Sequence, residues 1–282
     1  MKAKGILLLF WDYDTQWGAD RSRSRSRDTS WGPLEFEGTE RVFELLAEFA
    51  MPACFAVVGA AALPGKRPYS DPDQIRRMHA LGHEVASHSF RHDWLPALAP
   101  AALMSTLRES KDALEQCIGA SVQTFVPPYN QPFDYPARAA FSITERVHGG
   151  AYRVGIPRMC RALAKAGYSF CRIAYQPLPV RLTERLLGRS LDRPGHLRKI
   201  AGVVCARLNT PGGFDTPAID MLDRCASEGG TAVVYGHPHS VGRDNSQHER
   251  WLVPFLRRAA ALRDEGRLDI TLPRLLLSEV LA

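Results

Sequence analysis

The stretch Gly82-His83-Glu84-Val85-Ala86-Ser87-His88-Ser89-Phe90-Arg91-His92 decides how this chain is read. Glu84 to Ser87 has the look of a short buried strand that delivers the following turn to its C-terminal end. His88 and His92 stand four residues apart, a spacing that puts two imidazoles on one face of a helical turn. Imidazole is the commonest protein ligand of transition metals, and the small Ser89 leaves room beside the first ring. Surface and capping histidines share this spacing, so a metal reading needs ligands from elsewhere in the chain.

A second polar strand end lies upstream. Ile6 to Phe10 is a continuous apolar run, as for a strand buried on both faces, and it breaks at Trp11-Asp12-Tyr13-Asp14. Carboxylates at i and i+2 point the same way while strand geometry lasts. Lys2 and Lys4 before the run invite a signal-peptide reading. The run is short, however, Asp12 and Asp14 follow directly, and no small-residue cleavage site appears, so it is read as a first strand.

Further short apolar runs follow near residues 53–58, 85–87, 124–126, 168–173, 231–235 and 268–271, with amphipathic helical patterns between them. Seven strands alternating with helices predict a parallel sheet, and its C-terminal strand ends share one face. Four polar clusters fall just after strands: Asp12/Asp14, His88/His92, Tyr129/Asn130 and His237/His239. They are therefore expected to converge. Residues 175–214 depart from the rhythm, with two short helical patterns and no clear strand, and are read as a helical insertion. The expectation is a single α/β domain over 1–282.

Composition narrows the class. The 282 residues are 45% hydrophobic, enough for one large core without staples. No run approaches the roughly 18 apolar residues of a spanning helix. Six cysteines, none in a C-x-x-C pair, point to buried reduced thiols and the cytoplasm. Net charge is +6, and four arginines fall within Arg21-Ser22-Arg23-Ser24-Arg25-Ser26-Arg27. With no aromatic or glycine interleaving, this stretch reads as a solvated loop or as a lip for an anionic substrate, and no nucleic-acid partner is expected.

Asp14, His88 and His92 are candidate metal ligands, a three-donor N/O set that leaves a position for water. Asp12 is the candidate base, and His237 the candidate acid, with His239 as its competitor. This combination describes metal-assisted hydrolysis of an amide or ester. His79 and His83 share the i, i+4 spacing, but Gly82 breaks the helix between them, so capping or surface roles are read there. No G-x-S-x-G motif or glycine-rich phosphate loop appears.

Together these residues resemble the polysaccharide deacetylase family, the NodB-homology group of family-four carbohydrate esterases. The H-[ST]-x-x-H motif matches at His88-Ser89-Phe90-Arg91-His92, and the paired acids match at Asp12 and Asp14. In the family's commonest form the acids are adjacent. The spaced form followed by Trp17-Gly18 looks like an atypical intracellular branch. Val126-Pro127-Pro128-Tyr129 stands at the third motif, which implies that the Tyr129 backbone N–H helps bind the oxyanion, and Tyr235-Gly236-His237 stands at the late histidine motif. The arginine that normally orients the base is absent near Val126, so either another arginine, such as Arg91 or Arg172, substitutes for it or Asp12 is tuned differently.

The resemblance implies a distorted (β/α)7-type barrel and one divalent metal ion, zinc by default. It implies removal of an N-acetyl or other N-acyl group from a sugar by a metal-activated water. In the cytoplasm a phosphate-linked acetylated sugar is the expected substrate, with its phosphates against the arginine loop. Another C–N hydrolase on the same scaffold, acting on a formamide, ureide or imide, stays open. So does a non-catalytic binding protein. Trp17, Trp31 and Trp94 flank the motifs, either as sugar-stacking rings or as core.

Overall fold

Residue parity in β1 (Gly5–Tyr13) sets up the molecule. Leu7, Leu9, Trp11 and Tyr13 face a core shared with the surrounding helices. Leu8 and Phe10 face the other way, into a second cluster with Cys54, Ala56, Ala86, Val126, Phe170 and Val233. That second cluster is the interior of a curled sheet. The computed structural model describes residues 4–22, 30–132, 154–173, 182–183, 186, 194–210 and 212–281.

The sheet contains β1, β2 (Cys54–Val57), β3 (Glu84–Ser87), β4 (Thr124–Phe125), β5 (Phe170–Ile173), β6 (Arg198–Ile200), β7 (Val203–Arg207), β8 (Gly230–Gly236) and β9 (Leu268–Ile270). Their order is β6-β7-β5-β4-β3-β2-β1-β8, with β9 also paired to β1. Every pairing is parallel except β6 with β7. The seam between β7 and β8 carries no continuous ladder among the described residues. Two backbone bonds between Gly195 and Thr231 bridge it, and the Asn209 side-chain oxygen accepts the Val233 N–H at 2.9 Å. The result is the expected distorted barrel of parallel strands.

Within the expected helical insertion of 175–214, residues 198–200 and 203–207 instead form a β-hairpin that joins the sheet, while 175–181, 184–185, 187–193 and 211 lie outside the described residues. Ala201 and Gly202 both take positive φ, 49° and 89°, the two-residue turn whose twist matches antiparallel strands. Val203 to Ala206 is buried and pairs with β5, but it is too short, between polar flanks, to read as a strand.

The helices are α1 (Thr15–Asp20), α2 (Leu34–Glu48), α3 (Pro72–Ala80), α4 (Pro100–Ile118), α5 (Ile156–Lys165), α6 (Thr216–Glu228), α7 (Glu249–Asp264) and α8 (Pro273–Leu281). Asp71 caps α3 by accepting the Gln74 N–H at 2.9 Å, and Gly119 ends α4 at φ 67°. Leu276 and Leu277 of α8 join the interior cluster, and buried Glu84 accepts the Arg274 N–H at the start of that helix. Among the described residues no helix is long and apolar enough to cross a membrane.

Candidate active site

The inward series of the strands ends in the site. Along β1 it runs Leu8, Phe10, Asp12, along β5 Phe170, Arg172, and along β8 Val233, Tyr235, with His237 next. Apolar side chains fill the barrel, and polar ones take over at the C-terminal rim. Asp12, Asp14, His88, His92, Tyr129 and His237 all line one cavity of about 460 Å³, so the sequence-predicted residues do converge.

His88 and His92 are joined by a turn, not by the helical turn their spacing suggests. Ser89 and His92 have φ of 61° and 57°, which no right-handed helix contains. The Ser89 hydroxyl accepts the Asp93 N–H at 2.8 Å, and its carbonyl accepts the Gly59 N–H at 2.9 Å and the Ser110 hydroxyl at 3.0 Å. The end of β2 and helix α4 thus hold this turn in a left-handed conformation that local propensity disfavours.

Asp14 Oδ1 lies 3.3 Å from His88 Nε2 and 3.6 Å from His92 Nε2. All three side chains are buried, and Asp14 Oδ1 has no hydrogen-bond partner. His88 Nδ1 donates to the Val126 carbonyl at 2.7 Å, which leaves the Nε2 lone pair facing Asp14. Burial lowers the His92 pKa to about 4, so that ring is neutral near pH 7. Asp14 Oδ1, without a hydrogen-bond partner, and the two imidazole Nε2 atoms converging on it are the donor set of a divalent transition metal.

Asp12 has a different partner. Arg172 Nη1 and Nη2 donate to its two oxygens at 2.7 and 2.6 Å. Burial would raise the Asp12 pKa, but the Arg172 charge, with His88 and His237, holds it below the ordinary carboxylate value. Of the two arginines expected as substitutes, Arg172 makes this contact, while Arg91 lies over the Trp17 and Phe90 rings. Arg172 Nη2 also donates to Asn130 Oδ1 at 3.0 Å, and Asn130 Nδ2 donates to the Tyr235 hydroxyl at 3.0 Å.

Tyr129 also adopts a left-handed conformation, at φ 58° and ψ 15°. Its hydroxyl donates to the Arg21 carbonyl at 2.6 Å, and its ring packs edge-on against His92. Arg21 itself is committed to Asp93 at 2.8 Å, while Arg23, Arg25 and Arg27 lie outside the described residues. His237 Nε2 is 4.0 Å from Asp14 Oδ2, and its backbone N–H donates to Gln247 Oε1 at 2.6 Å. Trp31 lines the cavity, Trp17 packs on Tyr69, and Trp94 packs on Tyr129.

Sequence reasoning missed Glu35. Helix α2 begins at Leu34, which brings Glu35 into its first turn with no solvent exposure. Its Oε2 accepts the Thr15 N–H at 3.4 Å and lies 3.0 Å from His239 Nδ1. The readable signal was a carboxylate in register with Thr39, Val42 and Leu46, the buried stripe of that helix.

Residues 28–146 match the family described as polysaccharide deacetylase, a span that includes His88, His92 and Tyr129. The chain is 38% identical over 92 residues to a chitooligosaccharide deacetylase of Sinorhizobium fredii, covering 32% of this chain and 40% of that protein. It is 34% identical over 101 residues to a chitin deacetylase of Colletotrichum lindemuthianum, covering 35% and 38%. The matched segments thus span about two fifths of these relatives' lengths. A solved Mycobacterium smegmatis structure assigned to the polysaccharide deacetylases superposes with a TM-score of 0.62 at 18% identity, over 99% of this chain and 91% of that one, a likeness of fold. Over residues 28–146 the chain is thus similar to the polysaccharide deacetylase family, and its barrel is similar to that of a solved structure of that kind.

Proposed function

We propose that this protein is a metal-dependent hydrolase that removes an N-acetyl group from an amino sugar. One observation carries the reading: Asp14 Oδ1, buried without a hydrogen-bond partner, sits between two imidazole Nε2 atoms in the cavity that Asp12 and His237 also line. The likeness to chitooligosaccharide and chitin deacetylases supports the substrate class.

A divalent cation, zinc by default for a His₂Asp set, would be held by Asp14, His88 and His92 and would supply Lewis acidity and an acidified water. The chain's own groups carry the protons. Asp12, kept ionised by Arg172, accepts a proton from the attacking water as its oxygen bonds to the acyl carbon. The Tyr129 N–H donates to the oxyanion that develops. His237, across the cavity, protonates the amine nitrogen as the C–N bond breaks, leaving acetate and the free amino sugar. Six free cysteines fit a reducing compartment and, with it, a cytoplasmic sugar intermediate. The phosphate linkage of that sugar rests on the sequence of the arginine loop.

The test is hydrolysis by metal-loaded protein, following acetate and free amine together. Equal release from an acetylated chitooligosaccharide, abolished by Asp12→Asn, is the expected result. Release only from a formamide or cyclic ureide would move the site to another C–N hydrolysis. No release from any of these would overturn the enzyme reading.

A further inference from the structure

The reaction above makes no use of Glu35, although its carboxylate has no solvent exposure. Burying a carboxylate is costly unless it is paired. Here Oε2 meets His239 Nδ1 at 3.0 Å and the Thr15 N–H at 3.4 Å, while Oε1 is buried with no partner. The fold therefore sustains an unfavourable burial where this carboxyl meets both His239 and the backbone at Asp14 and Thr15.

His239 is restrained on two sides. Its Nδ1 edge meets Glu35, and one face stacks on Trp31 with ring centroids 3.9 Å apart and planes 24° apart. The turn that carries it is pressed against α2, since a Cβ on Gly38 would stand 2.1 Å from the Pro238 carbonyl oxygen. With Nδ1 engaged, Nε2 is the ring nitrogen left for the 460 Å³ cavity that His239 lines. His239 also lines a second cavity of about 340 Å³, between α2 and residues 238–243.

The two histidines of Gly236-His237-Pro238-His239 thus differ in their supports. His237 has a neutral amide oxygen of Gln247 3.2 Å from Nδ1, and its Nε2 reaches toward Asp14. His239 is backed by a carboxylate and stands outside the donor set of Asp14, His88 and His92. We infer that His239 is a substrate-binding residue that holds a hydroxyl of the sugar in this cavity, and that Glu35 is its positioning residue. A hydroxyl both donates and accepts, so it can pair with Nε2 in either imidazole tautomer. The inference rests on the N-deacetylase reading.

The experiment compares kcat and KM on an N-acetylated chitooligosaccharide and on 4-nitroacetanilide, an acetamide with no hydroxyl, using metal-loaded full-length protein. In His239→Ala the sugar-to-anilide ratio of kcat/KM falls about tenfold, mostly through a higher KM for the sugar, the scale of one lost hydrogen bond. In His237→Ala kcat falls on both substrates and the ratio holds. Glu35→Gln, which keeps the shape and an acceptor oxygen, retains more of the ratio than Glu35→Ala. If His239→Ala does not fold, His239→Asn decides by the same ratio. Equal losses on both substrates, or an unchanged ratio, would overturn the role. If wild type turns over neither substrate, the deacetylase reading itself has failed and this inference falls with it.

Discussion

Arg172 and Asp12 meet across the barrel interior, Nη1 to Oδ1 at 2.7 Å and Nη2 to Oδ2 at 2.6 Å, with side chains 0% and 5% exposed. The guanidinium plane also lies 4.4 Å from the Tyr235 ring centroid. The pair joins β5 to β1 above the apolar interior cluster. Removing one partner leaves the other charge buried and uncompensated, which costs about 3–5 kcal/mol. Arg172→Met and Asp12→Leu are each expected to lose stability of that order in urea unfolding, and the double variant to lose much less than their sum. Additive losses would show that the pair is not energetically coupled. Arg172→Lys cannot make the two-pronged contact, and its kcat/KM is expected to fall about 100-fold.

Metal content follows from the donor set. Elemental analysis of wild type is expected to show about one divalent transition metal per chain, lost in His88→Ala/His92→Ala. Adding that metal at 100 times its Kd stabilises the metal-stripped wild type by about 2.7 kcal/mol, read as a higher Tm, and leaves the double variant unmoved. A Tm rise in both would place the metal elsewhere.

Gly18 sets the position of Asp14. A Cβ at Gly18 would stand 2.5 Å from the Asp14 Cβ, closer than side chains approach. Gly18→Ala is therefore expected to displace the carboxylate and weaken metal affinity about tenfold or more, the scale of lost ligand support. Competition against a chromogenic chelator measures it, and unchanged affinity would refute the crowding argument.

His83 makes stability depend on pH. Its ring packs against Phe43 and Phe55, and Nδ1 accepts the Ala53 N–H at 3.3 Å. Burial lowers its pKa from 6.5 to about 4. Between these values the unfolded chain binds the proton and the folded chain does not, so stability is full above pH 6.5 and is lost as pH falls toward 4. The loss amounts to about 3 kcal/mol for this shift. His83→Gln is expected to be less stable at pH 7 and to show a flatter acid limb in urea titrations at successive pH values. An acid limb as steep as wild type would assign the proton uptake elsewhere.

Much of the site was legible because strands have a period of two. Leu8, Phe10 and Asp12 lie on one face of β1 by parity alone, and a run that turns from apolar to acidic at its end announces the barrel rim. His88, placed just after β3, was readable in the same way. The conformation between His88 and His92 was not. Spacing suggested a helix, whereas contacts from Gly59 and Ser110, far off in the chain, hold Ser89 in a left-handed state. The hairpin of β6 and β7 was hidden for a related reason, because its exposed first strand carries no apolar pattern and gains its place by pairing.

By itself the sequence determined the alternation of strands and helices, the parallel barrel that follows from it, and the identity of the groups at the strand ends. These depend on local periodicity and side-chain chemistry, which neighbours in the chain carry. Only the tertiary structure decided who partners whom: Arg172 for Asp12 across 160 residues, and Glu35 for His239 across 204. A buried polar or charged group needs a partner within hydrogen-bond reach, and the curl of the sheet, not the order of the chain, determines which side chains come that close.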